Sequence, residues 1–195
     1  SVYVGAGVTG AEMAQRVLRE HGVTDVAVIS TGGELTDHYD PRSKVIKLSS
    51  EVYGSRSVSA LGVACHEAGH AVQHAQSYFP LVARNAFVPV VNFCSGISWI
   101  VLIVGLFMQY DLMINLGIIL FATSAVFQFI TLPVEFNASR RAVASLKNSG
   151  MLSDSEIAGT KKVLTAAAMT YVAALATTLA SLLRLILITR GNRRN

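Results

Sequence analysis

Cysteine, charge and nucleotide-binding glycine patterns are what this sequence lacks or nearly lacks. It has two cysteines, Cys65 and Cys94, in 195 residues. They form no C-x-x-C pair, so a cysteine metal knuckle and a disulfide framework are both excluded. Cys94 falls in a charge-free apolar run and Cys65 beside a histidine in a helix-compatible stretch, so no bond between them is expected. Charged residues make up 14% of the chain against 52% hydrophobic, and the mean hydropathy is +0.48. Soluble domains carry about 25% charged residues, which excludes an ordinary soluble domain. There is no internal repeat, glycine-rich phosphate loop or nucleic-acid motif. The net charge of +4 comes from lysines and arginines flanking apolar runs, which suits a lipid bilayer rather than nucleic acid.

The few charges are unevenly placed, most of them before Arg84, between Glu135 and Lys162, and after Thr189. Residues 87–108 and 112–132 are free of charge, and at about 22 and about 21 residues each can cross a bilayer core of roughly 30 Å. Only Gln109-Tyr110-Asp111 separates them, which predicts a tight helical hairpin. A third span is predicted over residues 163–188, with Arg184 near its end able to snorkel to the interface. Buried helices of a soluble protein are the alternative, but a chain this small has little with which to cover three such runs.

Against this background stands one motif rich in chemistry, His66-Glu67-Ala68-Gly69-His70, an H-E-x-x-H inside a predicted helix over residues 57–77. Residues four apart on a helix differ by about 40° in azimuth and about 6 Å in height, so the two imidazoles can converge on one cation. Glu67 projects toward the same side, placed to take a proton from an activated water rather than to ligate the metal. Ala64, Ala68, Gly69 and Ala71 are small and would let other backbone approach closely. A pair of core histidines is the alternative reading. A catalytic zinc needs a third protein ligand. His74 lies about 12 Å along the axis from His66 and about 80° around it, which leaves it a role supporting a ligand or a place on the surface. Cys65 as a fourth ligand would close the open catalytic position, and its azimuth, about 100° before His66, argues against it.

The hairpin returns the residues after Leu132 to the membrane face that the chain left near Arg84. Pro133 is favoured as a first helical residue and Glu135 suits a first turn, so a new helix is predicted from Pro133 to a stop at Gly150. Glu135 is the carboxylate best placed to complete a His-His-Glu set, with a helix-dipole partner as the alternative.

The rest of the head is predicted from local signals. Thr9 and Glu12 form a capping box that opens a helix running to about His21, with Gly22 as its stop. Residues 25–30 and 44–49 read as two strands of a small antiparallel hairpin. The Lys44 strand either offers its edge to an extended peptide or simply packs on the motif helix. Asp37-His38-Tyr39-Asp40 is either an ordinary turn or a source of oxyanion contacts from His38 or Tyr39. Ser153 and Glu156 form a second capping box, leading into the last span. The expected division is 1–84 for the first part of a catalytic head, 85–132 for the membrane hairpin, 133–162 for the helix bearing the third ligand, and 163–195 for the last span and its basic tail.

The stretches LTDHYDP (35–41), HEAGHAVQHA (66–75), LPVEFNASRRA (132–142) and AAAMTYVAA (166–174) together resemble the YugP-type membrane zinc metallopeptidases of bacteria. That family is similar in layout to HtpX and the CAAX prenyl proteases, gluzincins whose third ligand is a glutamate on a later helix. The resemblance implies a mainly α membrane protein, with a small α+β zincin-like head on three transmembrane helices. It also implies a fourth, N-terminal span, expected to have been lost by truncation or processing from a chain that opens at Ser1. It implies Zn2+ held by His66, His70 and Glu135, with Glu67 as catalytic base. Those gluzincins often have an aspartate four residues after the ligand glutamate, where this chain has Ser139. A serine can accept the imidazole N–H but brings no charge.

The combined reading is an integral-membrane zinc endopeptidase of the bacterial cell membrane, multi-pass, with its active site on the cytoplasmic face. Its expected partners are protein or peptide substrates, membrane proteins among them, and the lipid bilayer. Nothing in the sequence sets a homo-oligomer or other membrane partner. The rivals are a catalytically inactive zinc-binding scaffold, a site-2-type intramembrane protease and a helix-bundle zinc transporter. The second needs an intramembrane aspartate, and Asp111 lies at the hairpin tip. The third needs polar ligands within the spans, and Asn92, Asn115 and Gln128 are a poor set.

Overall fold

Hydropathy sorts the chain into two kinds of helix, short ones with one buried face and long ones apolar all round. The structure, a computed structural model, describes residues 7–191. The chain forms two compact units, Ser1–Leu81 with Val134–Ala168 and Val82–Pro133 with Met169–Asn195.

In the first unit, α1 (Gly10–Glu20) begins at the predicted capping box: Glu12 N donates to Thr9 Oγ1 and Thr9 N donates to Glu12 Oε2 at 2.8 Å. It buries Met13, Ala14, Val17 and Leu18 and stops before Gly22, whose φ of 69° is the left-handed conformation glycine adopts freely. Three strands follow, β1 (Ala27–Thr31), β2 (His38–Asp40) and β3 (Val45–Ser49), in the order β1-β3-β2. A single turn, α2 (Ser50–Tyr53), leads to the motif helix α3 (Val58–Ala75), where Ser57 Oγ accepts from Ala60 N at 3.2 Å. Met13, Val17, Ile46, Leu48, Leu61, Val72, Leu146 and Leu164 meet in one buried core.

The predicted antiparallel pairing of the first two strands is wrong. β1 and β3 are parallel, with Ala27 opposite Val45, and the antiparallel partner of β3 is the short β2, with Asp40 opposite Val45. The hairpin is β2–β3, closed by Asp40, whose carboxylate accepts from Arg42 N and Ser43 Oγ, and by Lys44 at a φ of 53°. The expected free edge of the Lys44 strand is absent for the same reason: β3 is central and paired on both sides.

The remaining helices are α4 (Phe79–Phe107), α5 (Asp111–Asn148) and α6 (Asp154–Gly191). All three are long and apolar enough to cross a membrane. In the second unit they expose Phe93, Ile100, Ile103, Leu112, Ile119, Phe129 and Leu183, as lipid-facing helices do. The tight hairpin is present: a Cβ on Gly105 would lie 2.8 Å from Ile114 N, and one on Gly117 would lie 2.9 Å from Leu102 N. Small residues let membrane helices approach in this way, and Ser95 Oγ meets Ser124 Oγ at 3.0 Å across them.

Pro133 does not begin a helix, contrary to expectation. It sits inside α5, which runs unbroken to Asn148. Proline deprives only one carbonyl of its intrahelical partner, and membrane-length helices tolerate such a residue. Glu135 is therefore a mid-helix residue, and the helix-dipole account of it falls. The second capping box forms at Ser153 and Glu156, with Ser153 N donating to Glu156 Oε2 at 2.7 Å.

Candidate metal centre

Helical periodicity brings His66 and His70 to one face of α3, where their rings stand edge to face with centroids 4.7 Å apart. Glu135 approaches from α5. Its Oε2 lies 3.3 Å from His66 Nε2 and 3.6 Å from His70 Nε2, and the ligand-capable atoms of the three residues all fall within 4.8 Å of one another. The approach depends on Gly69, because a Cβ there would stand 3.0 Å from the carbonyl oxygen of Ala138, one turn beyond Glu135. The Glu135 side chain is 5% exposed, while those of His66 and His70 retain 16% and 13%. The nitrogens therefore face a carboxylate on one side and keep some access on the other.

Each ring is held from behind. His66 Nδ1 lies 3.2 Å from Ser139 Oγ, and His70 Nδ1 lies 3.0 Å from Gln73 Oε1. With His70 Nδ1 carrying a hydrogen for that acceptor, the neutral ring aims the Nε2 lone pair at a buried carboxylate. Two acceptors do not face each other at this range without a cation between them. Either a proton or a metal meets that demand, and two imidazoles with one carboxylate suit zinc. On donor chemistry and convergence, the residues present fit the ion.

Glu67 lies on the same helix and accepts a hydrogen bond from Tyr39 N at 2.9 Å. Desolvation by burial pushes its carboxyl above the ordinary glutamate range, despite the opposing pull of His70 and His66. For His70, burial works against the charged ring. The hydrogen bond to Glu135 and the carboxylates of Glu67 and Glu135 outweigh it, and the net shift is upward.

The other residues singled out in the sequence stand as follows. Tyr39 places its hydroxyl 2.8 Å from His74 Nδ1, beside a polar cleft of about 300 Å³ that Asp25 and Lys44 also line. His74 is not part of the metal-capable group. His38 meets the carbonyl of Thr36 at 2.7 Å through Nδ1 and is exposed. Cys65 is fully buried, and burial pushes its thiol up, which leaves no thiolate for a metal. Sequence reasoning missed Gln73 and Asn137. Gln73 is 0% exposed and donates to Val134 O and to Asn137 Oδ1, both at 2.9 Å. Its signal was available: a polar residue three places after a motif histidine shares that histidine's face.

Residues 1–190 match a family model described as "Putative neutral zinc metallopeptidase". The chain is also 48% identical over 192 residues to the protein of Bacillus subtilis (strain 168) named "Putative membrane protease YugP", an alignment covering 98% of this chain and 85% of that protein. No solved structure matches it. A family match over nearly the whole length, joined to a His-His-Glu group able to hold a metal, places this chain in that zinc metallopeptidase family.

Proposed function

We propose that the chain is an integral-membrane zinc endopeptidase in which His66, His70 and Glu135 hold Zn2+ and Glu67 is the general base. The observation that carries this reading is the convergence of two backed imidazoles and one buried carboxylate, with Glu67 on the same helix and within electrostatic reach of both rings. Bound zinc would supply a Lewis acid that brings the pKa of a water to about 7.

The protein's own groups do the rest. Ser139 and Gln73 hold the rings so that both Nε2 atoms point inward. Glu67, its carboxylate steadied by Tyr39 N–H, takes the proton of the attacking water. Burial raises its proton affinity, which suits it to hold that proton and hand it to the leaving amine nitrogen as the peptide C–N bond breaks. Three membrane-length helices and the relative named a membrane protease support membrane proteins as substrates.

A cytoplasmic active site is part of the proposal, supported by the resemblance to HtpX and by unpaired Cys65. Charge is divided, with Arg84, Arg140, Arg141, Lys147, Lys161 and Lys162 on one expected face and Arg190, Arg193 and Arg194 on the other; Arg193 and Arg194 lie outside the described residues. Labelling of Gly54→Cys against Asn192→Cys in intact cells with a membrane-impermeant thiol reagent reads the sidedness: a labelled Asn192→Cys with a protected Gly54→Cys supports the proposal, and the reverse overturns it.

The deciding experiment compares the parent with Glu67→Gln for zinc content and for cleavage of casein and of a bilayer-embedded substrate. Loss of a general base lowers turnover by about 10²–10⁴-fold with zinc retained. Parental turnover in Glu67→Gln refutes the assignment, and zinc without turnover in the parent identifies a scaffold.

A further inference from the structure

The orientation of His70 is set by a chain of hydrogen bonds whose direction can be read from its far end. Arg141 Nε can only donate, and it donates at 2.8 Å to Asn137, so the atom it meets is Oδ1. That oxygen lies 2.9 Å from the amide of Gln73, so the Gln73 atom facing it is the nitrogen. The same nitrogen donates to the main-chain carbonyl of Val134 at 2.9 Å, which can only accept. The other end of the Gln73 amide is then oxygen, 3.0 Å from His70 Nδ1. Amide orientations are usually an assignment, but an arginine and a backbone carbonyl dictate this one. The hydrogen of neutral His70 is on Nδ1, and Nε2 is its lone pair.

We infer that Gln73 is the positioning residue of the metal site, selecting the tautomer of His70 that presents Nε2 and fastening the motif helix to the helix that carries Glu135. The inference rests on the metal reading given under Proposed function. Only a carboxamide offers an acceptor at one end and two N–H donors on one nitrogen at the other, as Gln73 uses here, so neither leucine nor glutamate replaces it. Leucine offers no polar atom, and glutamate turns an acceptor toward Val134 O and Asn137 Oδ1. Asn137 takes part through its oxygen alone. His66 is held differently, because the hydroxyl of Ser139 can donate or accept and selects no tautomer. The two histidines are thus unequally supported, and His70 is the one with a dictated proton.

The test uses the full chain in detergent, with zinc affinity read by competition against a chromophoric chelator and tautomer read from 15N spectra of metal-free, histidine-labelled protein at a pH above the titration of the His70 ring. Loss of a group that orients a metal ligand costs about 10–100-fold in affinity; that loss is expected for Gln73→Leu, together with loss of the His70 Nδ1–H signal. Asn137→Asp keeps the only atom in use and is expected to bind zinc at least as tightly as the parent, with the signal intact. Parental affinity and an intact signal in Gln73→Leu overturn the inference, as does a loss in Asn137→Asp equal to that in Gln73→Leu. A parent that binds no zinc overturns the metal reading instead, while the Nδ1–H signal in parent and Gln73→Leu still decides whether Gln73 sets the tautomer.

Discussion

Gly69→Ala separates two quantities that most substitutions near a metal site change together, the stability of the metal-free fold and the affinity for zinc. The added methyl would stand 3.0 Å from Ala138 O and 3.4 Å from Ala138 Cα, both backbone atoms of α5. An ordinary contact is about 3.5 Å or more, so α3 and α5 must part by a few tenths of an ångström at this level. Zinc sites hold their distances to about ±0.2 Å. Glu135 is one turn from Ala138 on the same helix and moves with it, away from His66 and His70. For the metal-free fold, overpacking costs about 1–3 kcal/mol, while alanine in a helix interior recovers about 1 kcal/mol relative to glycine. Zinc binding has no such offset, and a strain of about 1.4 kcal/mol on the ligand set weakens it tenfold. Thermal unfolding with and without zinc, joined to chelator competition, should show a small change in the metal-free midpoint and a stabilisation by zinc that is largely lost. Unchanged zinc affinity in a folded Gly69→Ala protein would refute the argument that close helix approach sets the position of Glu135.

Other predictions follow from charge and hydrogen bonding. Because the carboxylates around His70 raise its proton affinity in the metal-free protein, zinc must displace a proton; affinity should fall about tenfold for each pH unit by which the solution is acidified, per proton displaced, over a window reaching above the ordinary imidazole value. An affinity flat between about pH 6 and pH 8 would contradict this. Glu67 has a raised pKa in the folded chain, so its ionisation destabilises the metal-free fold as pH rises through the folded value. Glu67→Gln should then unfold at a higher temperature than the parent near neutral pH, with the difference vanishing below the ordinary glutamate range; equal midpoints at both pH values would sink the idea. Tyr39→Phe removes the hydroxyl bonded to His74 but leaves the backbone N–H on Glu67, so it should cost about 1 kcal/mol of stability with turnover nearly kept. A fall of about 10²–10³-fold in kcat would instead make the hydroxyl an oxyanion donor.

What the sequence determined by itself is whatever local periodicity or length encodes. A four-residue interval puts His66 and His70 on one helix face wherever that helix lies. Charge-free runs of bilayer length declare α4, α5 and α6, and three polar residues between two of them leave room only for a tight hairpin. The capping boxes at Thr9 and Ser153 formed because each involves residues three apart. The tertiary structure decided what depends on distant partners. The direction of β1 against β3 could not be read, since it turns on a third strand of only three residues. The continuity of α5 through Pro133 could not be read either, because a proline is favoured at a first helical position and also tolerated inside a membrane helix. Gln73 and Asn137 lie 64 residues apart, and nothing in either's neighbourhood announces the other. Most consequential is the close approach of α5 at Gly69, where a Cβ would stand 3.0 Å from Ala138 O, because it brings Glu135, 69 residues after His66, to the two imidazoles. A motif can prescribe two ligands on one helix, but the third arrives only when another helix packs closely enough to deliver it.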